Sequence, residues 1–457
     1  MRMAAYHLPS QVSGFVTETL SFGEVTLEVP RLTPALLGEV IGHLETARER
    51  LRKRKGREIA GILSEVFSRW KDRTDPLRRA AEMALPVVTR FSPAMVVHGL
   101  DLLCQGYGAD AFDQLLQEAG AEEDLEGFIH LGSHLSRAYA PVLTTHVLAG
   151  NIPGVGLPGL IAATLLGSAS LVKTASADPL FLSLWAASVA RQDPEIGECL
   201  AVLWWRGGRA DLESVAFDHA EVVVAYGSEQ TVHELQGRVR SRFLGHGHRV
   251  SFGVVGRDVL GRAEDVAERA AYDASLFDQQ GCLSPHCLYV EEGGVVSPKE
   301  FAELLASAMA TWAERLPPGS LTRDEAVAVR KFRGGYEAQG MAGRDIALFM
   351  HPQALDWAVI YDADPTFTLS CLHRTVLVKP VADLSEMGGP LRAWRPYLQA
   401  AGVAVTPERI GRLAGELGRA GVNRICPIGR MQVPPLTWHQ EGRFLLRDLL
   451  RWTDLEV

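Results

Sequence analysis

A chain of 457 residues is too long for one ordinary hydrophobic core, and 47% hydrophobic with 22% charged residues describes a globular protein of two or more domains. A formal charge of −9 argues against nucleic acid as a partner, because phosphates demand a basic face. The six cysteines, at 104, 199, 282, 287, 371 and 426, form no C-x-x-C pair and no His/Cys ligand spacing, so neither a metal site nor a disulfide scaffold is expected.

The first residues, MRMAAYHLPSQ, show neither the apolar core of a signal peptide nor an anchor, which makes a reducing cytoplasmic setting the expectation. Apolar residues at Leu37, Val40, Ile41, Leu44, Leu51, Ile59, Ile62, Leu63, Val66 and Trp70 follow a helical period, and the chain reads as helical through about residue 135. The basic run Arg48 to Arg57 lies on that pattern and reads as a solvated helix face. Beyond it the texture changes. Short β-branched runs predict strands at 142–148, 170–173, 221–225, 250–255, 287–291, 359–361 and 375–379. Helical patterns intervene near 156–167, 178–190, 262–277, 298–315, 322–337 and 406–419. This alternation predicts α/β domains with largely parallel sheets. The tetrapeptide Gly245-His246-Gly247-His248 interrupts the pattern just before Val250 and is the expected boundary between them.

The segment GNIPGVGLPGLIAATLLGSASLVKT, Gly150 to Thr174, is long enough to cross a bilayer, but Pro153, Pro158 and its glycines would leave backbone groups unsatisfied in lipid. A strand, a Gly/Pro turn, a helix and a second strand ending at Lys173 account for all of it, and burial of both strand faces explains the missing charge. Its Gly154-Val155-Gly156-Leu157-Pro158-Gly159 fits G-x-G-x-x-G, for which two readings compete: a dinucleotide loop, or a helix packed closely on a sheet. Lys173-Thr174-Ala175-Ser176 stands where a Rossmann fold carries its ribose-binding acid, so a nucleotide there would be NADP rather than NAD.

Cys282 lies in Phe277-Asp278-Gln279-Gln280-Gly281-Cys282-Leu283-Ser284-Pro285-His286, a polar turn that favours exposure over packing. Cys104, Cys199 and Cys426 read as small buried apolar residues. Gln280-Gly281-Cys282 resembles the nucleophile segment of the aldehyde dehydrogenase superfamily. Gly150-Asn151-Ile152-Pro153, with Lys173 22 residues after the asparagine, resembles that superfamily's Asn-x-Pro turn and cofactor lysine. Five collinear stretches, HVLAGNIPGVG, KTASADP, FDQQGCLSPHCLYVEE, VLVKPVADLSE and GVNRICPIG, are similar to the acyl-CoA reductases typified by the fatty-acid reductase of bacterial bioluminescence.

That resemblance implies an aldehyde dehydrogenase-like fold of two parallel-sheet α/β domains with the active site in the cleft between them. It divides the chain into 1–247, a helical region plus cofactor-binding domain; 248–435, a catalytic cysteine domain; and 436–457, a C-terminal segment packing back on the body. It implies NADPH-dependent reduction of a fatty acyl-CoA, or of an acyl group on a carrier or partner protein, to the aldehyde, in a homo-oligomer. Cys282 would attack the thioester, and Asn151 with the Cys282 backbone N–H would hold the oxyanion. Lys173, Thr174 and Ser176 would bind the adenosine ribose and 2′-phosphate, and Gly227-Ser228 the pyrophosphate turn.

The sequence departs from the superfamily in three places. Leu244-Gly245-His246-Gly247-His248-Arg249 replaces Glu-Leu-Gly-Gly-Lys, so no carboxylate stands there to activate water, which favours reduction and leaves His246 or His248 as candidate bases. Ser370-Cys371-Leu372-His373-Arg374 stands for Glu-x-Phe-Gly-Pro, and Val232 stands near the later glycine of the Gly-Ser turn. His286 reads either as a proton-handling residue or as a solvent-facing histidine at the strand entry, and Trp204-Trp205 as packing. Two alternatives remain: an aldehyde dehydrogenase oxidising an aldehyde with NAD(P), and an acyl-carrying or acyl-binding component without hydride chemistry.

Overall fold

In the computed structural model the described residues are 1–119, 125, 127–150 and 152–456, with Ala119 and Leu131 described in their backbone alone. A small sheet opens the chain: β1 (Arg2–Ala4), β2 (Thr17–Phe22) and β3 (Val25–Pro30), in the order β1-β3-β2. This corrects the helical reading of the first 30 residues. In β3 the alternation that marks a half-buried strand is present, with Val25, Leu27 and Val29 buried, but it spans only six residues beside a long helical period.

Five helices follow between Pro34 and Ala119, and the periodic residues Leu37, Val40, Ile41 and Leu44 are buried as expected. Next come β4 (Ile129–Leu131), β5 (His134–Tyr139), β6 (Leu143–Val147), β7 (Ala169–Lys173), β8 (Leu200–Leu203), β9 (Val222–Tyr226) and β10 (Arg242–His246). The last five of these form a wholly parallel sheet in the order β10-β9-β6-β7-β8. Every residue of β6 to β9 is buried, because helices cover both faces. The helix Leu157–Leu165 is buried along almost its whole length; a methyl group at Gly159 would make only ordinary contact, 3.5 Å from the His146 ring, whereas one at Gly156, which opens the helix, would stand 2.7 Å from the Leu148 side chain. No helix among the described residues is long and apolar enough to cross a membrane.

A second sheet begins four residues after β10 and has seven strands: β11 (Val250–Val255), β12 (Pro285–Glu291), β13 (Ile346–Met350), β14 (Ala358–Asp362), β15 (Thr375–Val381), β16 (Leu398–Ala404) and β17 (Arg424–Pro427). Their order is β13-β14-β15-β12-β11-β16-β17, all parallel except the edge strand β13. Separate apolar clusters fill its two faces, and a third, larger cluster unites the five-stranded sheet with the N-terminal helices. Finally β18 (Arg451–Leu455) returns across the molecule to pair with β5.

Candidate active site

The chain leaves the helix Ala263–Ser275 through three successive left-handed residues, Phe277, Asp278 and Gln279, with φ of 49°, 51° and 63°. Each costs about 1–2 kcal/mol in an L-residue and persists only where its surroundings fix it. Here they do. Arg374 Nε donates to Asp278 Oδ1 at 2.8 Å, and the Gly319 N–H to Oδ2 at 3.0 Å. Gln279 Nε2 donates to the carbonyls of Pro285 and Thr375 at 2.8 and 3.0 Å, while its Oε1 accepts from the Thr375 N–H at 2.8 Å. The clasping segment, Leu372 to Arg374, is itself left-handed, with φ of 64°, 50° and 56°.

This clasp presents Cys282, which is exposed, whereas Cys104, Cys199 and Cys426 are buried. Its carbonyl accepts from Ser251 Oγ at 2.7 Å, and that hydroxyl in turn accepts from the Ala400 N–H at 3.1 Å. Protein packed around the sulfur pushes the thiol up to about 11, and the Glu441 carboxylate adds to the rise; the residue's own N–H and Arg249 oppose it. A methyl at Gly281 would lie 3.1 Å from Gln432 Oε1 and 3.4 Å from Ile152 Cδ1. The loop after β6 therefore abuts the nucleophile loop, and the two sheets meet at Cys282. Asn151 lies outside the described residues.

Glu441 is the residue that sequence reasoning missed. It has a left-handed φ of 57° and a side chain only 5% exposed. Its Oε1 lies 2.9 Å from His246 Nδ1, and its Oε2 accepts from Arg249 Nη2 at 2.7 Å. Burial alone would raise its carboxyl, but His246 and Arg249 hold it below the usual range. The expectation that this region lacks a carboxylate is thus overturned: one arrives from a loop near 440. No local signal marks it, since 195 residues separate it from His246. Tyr226 stacks on His246 with ring centroids 4.6 Å apart.

His286 does not face solvent. It is buried in β12, its Nδ1 accepts from the Ser370 N–H at 3.2 Å, and burial together with the charge on His248 pushes it down to about 4. It is a neutral imidazole anchoring the segment that stands for Glu-x-Phe-Gly-Pro.

On the five-stranded sheet Lys173 ends β7, buried, with Nζ 5.9 Å over the Trp205 ring. Burial pulls its ammonium below the usual range, partly offset by Glu213. Among the described residues it makes no ion pair within 4.0 Å; Nζ donates only to the Thr174 carbonyl, at 3.4 Å. Thr174 Oγ1 donates to the Leu203 carbonyl at 3.2 Å, and Trp204 Nε1 to the exposed Ser176 Oγ at 3.4 Å. Trp205 is buried, as a packing role predicts. Gly227 leads from β9 into the helix Glu229–Gln236, whose N-cap is Ser228.

Solved structures with this architecture include aldehyde dehydrogenase 21 from Physcomitrella patens, at a TM-score of 0.77 and 13% identity over 99% of this chain and 98% of that one. An NAD-dependent benzaldehyde dehydrogenase from Corynebacterium glutamicum matches at a TM-score of 0.72 and 13% identity, covering 98% of each. The long-chain acyl-protein thioester reductase of Photorhabdus laumondii is 24% identical over 454 residues, which covers 96% of this chain and 89% of the relative. The model of the acyl-CoA reductase (LuxC) family matches residues 51–452. With that match spanning most of its length, and with the aldehyde dehydrogenase fold beneath it, the chain belongs to the acyl-CoA reductase (LuxC) family.

Proposed function

We propose that the protein reduces a fatty acyl thioester to the aldehyde, with NADPH as reductant and Cys282 as the site of a covalent acyl-enzyme. The observation that carries this reading is an exposed cysteine residue on a strained, heavily braced loop that the loop after β6 abuts. The thiolate attacks the thioester carbonyl, splitting one difficult displacement into two easier ones. Asn151 and the Cys282 N–H stabilise the oxyanion. Since the thiol is held up near 11, attack at neutral pH needs a base beside it.

Lys173, Thr174 and Ser176 would hold the adenosine ribose and its 2′-phosphate, and Gly227 and Ser228 the pyrophosphate at a helix N-terminus. The residues suit that group: among the described residues Lys173 makes no ion pair within 4.0 Å, and Asp178, the first acid after β7, accepts from the Leu180 and Phe181 N–H groups. When bound, NADPH supplies the hydride. The same reading ends the cofactor-binding part at Gly247, carries the catalytic part over 248–435, and assembles the chain as a homo-oligomer. Its acyl donor is acyl-CoA or an acylated protein, the latter supported by the name of the Photorhabdus relative.

Incubating the protein with acyl-CoAs of graded length and NADPH tests this. Loss of NADPH absorbance with matching aldehyde is expected, and Cys282→Ala should abolish both. Fully active Cys282→Ala refutes the acyl-enzyme. Acid formed from aldehyde without CoA indicates oxidation instead, and acyl transfer with no nicotinamide requirement indicates an acyl carrier.

A further inference from the structure

We propose that His246 is the catalytic base of Cys282 and that Glu441, from the C-terminal segment, positions it. The inference rests on the acyl-enzyme reading above and adds the groups that move its protons.

A base needs a lone pair, a fixed orientation and a counter-charge. Glu441 provides the last two. With its Oε1 2.9 Å from His246 Nδ1, the ionised carboxylate accepts only if Nδ1 carries the proton, which leaves the lone pair on Nε2. This is the logic by which a buried carboxylate sets the tautomer of a histidine base. The ring plane is fixed from a second direction by the stacked Tyr226, 15° from parallel, and the His246 carbonyl accepts from the Gly227 N–H at 3.1 Å. Glu441 is fixed in turn by Arg249 at 2.7 Å. His246 and Glu441 are 12% and 5% exposed at their side chains, so bulk water does not screen the pair.

Cys282 stands within electrostatic reach of this group: the Glu441 carboxylate and the thiol both act on the Tyr226 hydroxyl, whose ring stacks on His246, and Glu441 acts on the thiol. Among the described residues Glu441 and Tyr226 contact His246 directly, and Arg249 reaches it through Glu441. Glu229, which accepts from Arg249 at 3.3 Å, stands on the helix after β9; Arg443 donates to the Gly245 carbonyl at 3.4 Å, and His248 follows along the chain.

In acylation the Cys282 S–H proton passes to His246 Nε2, sulfur bonds to the acyl carbon, and the bond from that carbon to the departing thiolate breaks. The imidazolium returns its proton to that thiolate, so the leaving group departs as a neutral thiol and the base is restored. A bound reduced nicotinamide would supply the hydride that, with one proton, turns the acyl-enzyme into a hemithioacetal, whose O–H gives its proton to His246. The carbon–sulfur bond then breaks, aldehyde leaves, and Cys282 is reprotonated from the imidazolium.

The test uses the full-length protein and needs no substrate. Alkylation of Cys282 by iodoacetamide is followed from pH 6 to 10 in wild type, His246→Gln and the near-isosteric Glu441→Gln, with near-ultraviolet dichroism confirming the fold. A fall of about 10²-fold at neutral pH is expected in His246→Gln, within the usual range for loss of a general base. The residual reaction should climb steadily with pH, as an unassisted thiol does. Glu441→Gln should fall by about tenfold, and free imidazole should restore His246→Gly. Equal alkylation rates in wild type and both glutamine variants would overturn the proposal. Failure of the acyl-reductase reading would appear separately, as no thiol release from acyl-CoA by a wild-type enzyme whose Cys282 is still activated.

Discussion

Lys173 and Glu441 mark the two extremes of what single residues disclosed. Lys173 sits where a strand ends, within a segment whose only charge before Asp178 is its own, so its position could be inferred locally. Glu441 could not, because its meaning depends on a contact across 195 residues and its neighbours His439, Gln440 and Gly442 carry no pattern. Cys282 falls between: its polar turn predicted exposure, but the packing that raises its thiol comes from the assembled fold. For Lys173 a specific outcome follows. Hydrogen bonds to charged groups contribute about 1.5–3 kcal/mol, so Lys173→Ala should raise the KM for NADPH by about 10–100-fold. The KM for NADH should change much less, and initial rates with the two cofactors measure the difference.

At the scale of elements, the nucleophile loop is held by its fit to a helix of the opposite half. The Phe277 ring lies over Gly99 in the helix Pro93–Gly106, and a methyl there would stand 2.6 Å from Phe277 Cε1. The ring is also packed edge-on against Phe91 at 5.8 Å, which restricts its retreat. Gly99→Ala should therefore push the left-handed turn out of place, slow Cys282 alkylation, and lower stability by about 1–3 kcal/mol as overpacking does. Paired measurements of alkylation rate and unfolding midpoint check both. Elements with strong β-branched runs, such as β11 and β15, were legible from sequence. Others were not: β16 reads LQAAGVA, where alanine and glycine give little strand signal, yet Gly402 is needed there because a side chain would collide with Met431. The strand β10 lay hidden in RFLGH, and it delivers His246.

For the molecule as a whole, the far end of the seven-stranded sheet is tied by a buried carboxylate. Glu291, at the end of β12, accepts from Arg409 at 2.7 and 2.8 Å, from Arg257 Nη2 at 2.9 Å, and from the N–H groups of Arg257 and Leu384. Burial alone would raise its carboxyl, but the two guanidiniums and those N–H groups hold it down to about 2, against 4.5 for a free side chain. A depressed folded-state value means the clamp stabilises fully above pH 4.5 and is lost as pH falls toward 2. Glu291→Gln should cost about 3–5 kcal/mol near neutrality, because the arginines lose their buried partner. Between pH 5 and 2 its unfolding midpoint should fall less steeply than that of wild type, as a pH series of melting curves would show. Another long-range tie has a consequence for biosynthesis. Strand β18 closes on β5, more than 300 residues earlier, and Glu441 lies just ahead of it. A chain emerging from the ribosome exposes Cys282 long before Glu441 and β18 appear, so under the proposal above the thiol lacks its positioning carboxylate until β18 has been made and has closed on β5.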